Sequence, residues 1–110
     1  MRKSILSLFV MMCLFGVVAF ASSAEYIASN VASVKSQRID GQYVILEGEV
    51  VNSCNDGNFI FRDDTGDIVM DVMDRYDEAK EIIGVPIRVY GAVHADFYAI
   101  RIDAYDIEVL

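Results

Sequence analysis

The residues of this 110-residue chain best placed to do chemistry are carboxylates, and they recur close together. Asp63, Asp64 and Asp67 bracket Thr65 and Gly66, while Glu47, Glu49 and Asp71 sit at alternate positions of apolar-patterned runs. Clustered carboxylates suit acid–base catalysis, a hard cation held by oxygen ligands, or attraction of a cationic partner. Catalysis has least support. With one histidine (His94) and two cysteines (Cys13 and Cys54), neither a Ser–His–acid nor a Cys–His set is available. Carboxylates on a strand surface also lack the pocket that would shift their pKa values. Asp63, Asp64 and Asp67 do not follow EF-hand spacing, and hairpin turns favour Asp for backbone reasons alone. They stand as a weaker, Ca²⁺-like alternative. His94 lacks the further His or Cys ligands of a transition-metal site. No cofactor is implied.

Positioning these groups falls to alternating strands. Phe59 and Phe61 share one face before the turn Asp63-Asp64-Thr65-Gly66, and Ile68, Met70 and Val72 share one after it, the pattern of a half-buried antiparallel hairpin. Upstream, Val44, Leu46, Gly48 and Val50 alternate through a strand over about 42–51, and the mid-strand glycine marks a bend or bulge. Ile27, Val31 and Val34 have the spacing of one face of a short helix or turn. After the hairpin, Asp74 is placed to cap a helix carrying Tyr76, Ala79 and Ile83, with Gly84 and Pro86 to end it. A fourth strand from Pro86 puts Ile87, Val89, Gly91 and Val93 on one face and Arg88, Tyr90, Ala92 and His94 on the other. In the fifth, Ile100, Ile102 and Ala104 are in phase but Tyr105, Ile107 and Val109 are offset by one, which implies a bulge near Ala104. Three strands, a helix and two strands make an all-β fold with small α content: a five-stranded OB barrel with one helix between strands 3 and 4.

The first 24 residues read as a leader. Arg2 and Lys3 precede a nearly continuous apolar run from Ile5 to Phe20, followed by small residues at Ala19-Phe20-Ala21 and Ser22-Ser23-Ala24. Cleavage after Ala24 leaves Glu25 first; an uncleaved anchor is disfavoured because the run is shorter than the ~20 residues a span needs. The remaining 86 residues, 25–110, carry seven basic against 17 acidic residues, a balance of −10, and make one domain with no membrane span. Cys54 is then the sole cysteine. It lies in the polar loop Asn52–Gly57, where it is a bland loop thiol or a site of pairing between chains.

The combination of that leader with Val34-Lys35-Ser36, Val44-x-Leu46-x-Gly48-x-Val50, Phe59-x-Phe61-x-Asp63-x-x-Gly66-x-Ile68, Val89-x-Gly91-x-Val93 and Ile102-Asp103 resembles the bacterial OB-fold family of secreted proteins, the YgiW/YdeI-type stress-tolerance proteins of Gram-negative periplasms. The resemblance covers nearly all of residues 25–110. It implies a periplasmic domain without enzymatic activity and no agreed ligand. The chain departs from the family at His94-Ala95-Asp96, where members often carry an acidic–basic pair, so no basic contact is carried onto that loop.

The usual OB binding surface is the outer face of strands 2 and 3, framed by the 1–2 and 4–5 loops. Alternation places Ile60, Arg62, Val69 and Asp71 there, with Ile45, Glu47 and Glu49 beside them. His94, Phe97 and Tyr98 belong to the 4–5 connection, and the two aromatics either fold under the barrel as a lid or stand exposed as a contact patch. Nucleic acid is excluded as a partner, because phosphate neutralisation needs a cationic groove. The expected partner is a cationic small molecule, peptide or protein.

Overall fold

Each alternating run after residue 41 becomes a strand with its apolar face inward in the computed structural model, which describes residues 25–54 and 56–110. The expected leader lies outside the described residues. The elements are β1 (Ile27–Ala28), α1 (Val31–Gln37), β2 (Tyr43–Ser53), β3 (Phe59–Asp63), β4 (Gly66–Asp71), α2 (Tyr76–Glu81), β5 (Ile87–Ala95) and β6 (Ile100–Val109). The sheet runs β1-β2-β3-β4-β6-β5, and β5 pairs back onto β2, closing a barrel. Five strands form the wall as the sequence predicts. β1 is an additional two-residue strand, parallel to β2 at Val44 and Ile45. Ile27 therefore lies on a strand, half exposed, and not on a helix face.

Closure depends on β2 changing partners along its length. Tyr43 to Gly48 pair with β5, and Glu49 to Ser53 pair with β3. Gly48 sits at the changeover, where a Cβ would run into the Arg62 carbonyl oxygen and lie 2.9 Å from Phe61 Cζ. Gly91 is its counterpart on β5, its absent Cβ giving way to the Asp103 carbonyl oxygen. Beside it, Tyr90 opposes Asp106 while Gly91 opposes Ala104, so Tyr105 is the extra residue of a bulge. This is the phase slip visible in the sequence.

Phe59, Phe61, Leu46, Met70, Ile87 and Ile102 fill the interior with no measurable exposure above 1%. The short helices sit at opposite ends. Val31 and Val34 of α1 enter the core beside the β3–β4 turn, where Val31 Cγ1 lies 3.5 Å from the Cβ position of Gly66. At the other end α2 buries Ala79, and Tyr76 lies against Phe59 with ring centroids 5.1 Å apart. α2 is shorter than its sequence pattern predicts. Arg75, not Asp74, holds the N-cap position, and no side chain caps it. Met73 turns the chain with φ 60°, its amide donating to Asp71 Oδ1, so helical geometry begins one residue late. At the far end Ile83 leaves the helix to bridge Val50, and Gly84 donates to the Val50 carbonyl.

Candidate functional site

The β3–β4 turn is built by its own side chains. Asp63 Oδ1 accepts from the Thr65 amide (2.7 Å), the Thr65 hydroxyl (2.6 Å) and the Gly66 amide (3.2 Å). Its other oxygen accepts the Val31 amide at 2.9 Å, and Thr65 Oγ1 accepts the Ala32 amide at 2.9 Å. With Asn30 accepting from Ser33, three orphan donors of α1 are satisfied by side chains. Partial burial alone would raise the Asp63 pKa, but the Thr65 hydroxyl and the Val31, Thr65 and Gly66 amides outweigh it and hold the carboxyl below its ordinary range. Asp67 is likewise lowered, chiefly by the fork from Arg62, at 2.7 and 3.2 Å. Asp63 and Asp67 are thus occupied by protein donors. Among the described residues no group of three or more His, Cys, Asp or Glu gathers to hold a metal ion.

Next to this turn lies a groove of about 600 Å³, walled by Ala28, Ser29 and Asn30 on one side and by Arg62, Asp63, Asp64 and Thr65 on the other. Ile45, Glu47, Gly48 and Glu49 of β2 form its floor. Four carboxylates face one guanidinium. Glu47 is tied to Arg88 at 2.8 Å, and Arg88 also reaches Glu108 at 2.9 Å. Glu49 stands across from Arg62 in the β2–β3 ladder, but Arg62 is taken by Asp67. Glu49 and Asp64 form no ion pair among the described residues.

The predicted surface is therefore divided. Ile45, Glu47, Glu49 and Arg62 converge on this groove, whereas Ile60 and Val69 line a smaller one of about 370 Å³ with Arg62, Lys35, Asp67 and Ile100. Asp71 lies beyond both, opposite Asp103. His94 opposes Arg101 on β6, with Nε2 4.0 Å from Asp96. Phe97 and Tyr98 are 90% and 92% exposed and touch edge to face, so the lid arrangement is ruled out in favour of the exposed one. The tip that carries them is rigidly tied: Asp96 accepts from the Tyr98 and Ala99 amides, and Arg38 donates to the Asp96 and Ala99 carbonyls.

The family model for bacterial OB fold (BOF) proteins matches residues 20–109. The chain belongs to that family. Among solved structures, the BOF domain is similar to the hypothetical protein ygiW from E. coli, at 25% identity and TM-score 0.68, over 76% of this chain and 90% of that one. It also shares the fold of the second OB-fold domain of replication protein A from Methanococcus maripaludis, at 20% identity, TM-score 0.52 and coverages of 64% and 86%. A chain of the S. pombe Stn1-ten1 complex is similar at 17% identity and TM-score 0.52, over 81% and 78%. No curated protein matches the chain.

Sequence reasoning missed several residues of this BOF surface. Ala28, Ser29 and Asn30 reach the groove through a strand too short to show a period. Arg101 holds Asp103 at 2.8 Å beside the predicted face, two positions apart on one strand and so on the same side, a spacing that would have revealed the pair. Tyr90, Tyr26, Tyr43 and Tyr105 also meet in that order on the outer wall, at centroid distances of 5.6, 5.3 and 6.1 Å.

Proposed function

We propose that this BOF domain is a periplasmic, non-enzymatic binding module of the stress-tolerance type that takes a cationic ligand or the basic patch of a protein partner into the groove beside Gly48. The observation that carries the reading is the pair Glu49 and Asp64: two groove carboxylates with no ion pair among the described residues, next to the half-buried Ile45. Such a site attracts cations by charge and holds them by apolar contact. Several features argue against other classes. No charged or polar residue is buried among those described, and the shifted carboxylates, Asp63, Asp67 and Asp96, are all lowered, the opposite of what a general acid needs. The outer-face guanidiniums are engaged, Arg62 by Asp67, Arg88 by Glu47 and Arg101 by Asp103, which leaves little for phosphates. Export and a role in stress rest on the family and on the leader pattern.

Calorimetric titration of residues 25–110 with a basic amphipathic peptide tests the reading. Saturable binding that an acidic peptide of equal length fails to reproduce supports it; equal heats from both peptides would overturn it.

A further inference from the structure

The groove exists because the barrel wall is interrupted. On one side of β2, pairing with β1 ends at Ile45, and pairing with β3 begins at Glu49. Leu46, Glu47 and Gly48 pair only with β5, on the other side. The Ser29 amide donates to the Ile45 carbonyl at 3.0 Å, so the main-chain groups of Ile45 face the interrupted side. Strand geometry repeats every two residues, and the N–H and C=O of Glu47 therefore face the same way. Neither β1 nor β3 places a paired residue opposite Glu47 on this side. The cause of the gap is also on the structure: β3 ends at Asp63, whose carboxylate and turn are drawn to the N-terminus of α1.

From this we infer that the groove binds an extended basic peptide by strand pairing, the peptide backbone bonding to the Glu47 N–H and C=O while a basic side chain lies against Glu49 and Asp64. This rests on the cationic-ligand reading above and adds the mode of binding. An open strand edge is a template for another chain. Of the three residues without a partner on this side, Glu47 alone turns its main chain into the gap, so it admits a short local match and not a full added strand. Charge complementarity selects the occupant: the floor and wall bring Glu47, Glu49, Asp63 and Asp64 against a single Arg62. An anionic or neutral strand would meet the same edge without that attraction.

The probe is a capped pentapeptide of alternating valine and arginine, compared with the same peptide N-methylated at each position in turn. Methylation removes one backbone donor and leaves the charge intact. We expect one register of methylation to weaken binding about tenfold, the scale of one hydrogen bond. In ¹⁵N spectra the Glu47 amide should move and become slower to exchange when the parent peptide is added. Equal affinity across the whole methylated series, with the Glu47 amide unmoved, would overturn strand pairing while leaving the cationic-ligand reading intact. No binding by the parent peptide, when a basic amphipathic peptide does bind, would likewise reject the strand mode alone. If neither basic peptide binds, both readings fail.

Discussion

Asp63 Oδ2 accepts the Val31 amide at 2.9 Å across 32 residues of sequence, so the turn of one hairpin caps the helix that precedes it. The two parts cannot be formed independently. α1 has seven residues, too few to be stable alone, and gains its place from Val31 and Val34 in the core and from this side-chain cap.

The carboxylate's lowered pKa sets the direction of the pH dependence. A group whose folded pKa lies below its unfolded value contributes stability above the unfolded value, about 3.9 for Asp, and loses it as pH falls through the folded one. Asp63→Asn replaces the oxygen facing Val31 with a donor, and should cost about 1 kcal/mol at neutral pH, the typical worth of a cap. Denaturant titrations of both proteins should show the gap narrowing in strong acid, where the parent carboxyl is itself protonated. A gap independent of pH would mean the charge has no part in the cap.

Gly48→Ala and Gly91→Ala should each lower stability by about 1–3 kcal/mol, the usual range for forcing atoms into a packed site. Neither glycine has left-handed backbone, so the cost is one of space: the new methyl meets a backbone carbonyl, which cannot rotate away as a side-chain tip can. Thermal unfolding measures it. Unchanged melting at both positions would show that the strands do not approach this closely at the barrel corners.

What could be read from the sequence follows from the range of the interaction. Strand periodicity is local, and Phe59, Phe61, Ile68 and Met70 are all buried as their alternation requires. The Tyr105 bulge is local too, because one extra residue displaces every apolar position after it. The two strand glycines are legible for a related reason, since nothing else in an apolar strand calls for a missing side chain. The cap on α1 is not legible, because Asp63 and Thr65 look like ordinary turn residues until the barrel brings Val31 beside them. Asp74 misleads in the opposite sense: its type and spacing suit a helix start, but the turn at Met73 decides where the helix begins. For the candidate surface, alternation put Ile45, Glu47, Glu49 and Arg62 on a common side. It could not show that Arg62 is taken by Asp67, or that Asp71 lies away from the groove.

The proposed removal of residues 1–24 on export is checked by intact-mass measurement of the protein recovered from cell fractions. The expected chain begins at Glu25, or at Ser22 if the earlier small-residue site is used. Recovery of a chain that starts at Met1 would restore the membrane-anchor alternative.

The surface itself is mapped by three variants and a salt series. Glu49→Gln with Asp64→Asn removes the two unpaired groove charges and should weaken a basic amphipathic peptide several-fold, since exposed pairs are worth about 0.2–1 kcal/mol each. Glu47→Gln should do less to the ligand, because that carboxylate is already held by Arg88 at 2.8 Å. Asp71→Asn, outside the groove, should leave affinity unchanged. Raising ionic strength from low to physiological should weaken the parent markedly and the Glu49–Asp64 double variant much less, because screening acts on the charges that the variant has lost. A double variant that matches the parent in affinity and in salt slope, with its fold intact, would reduce the acidic groove to a solvated surface.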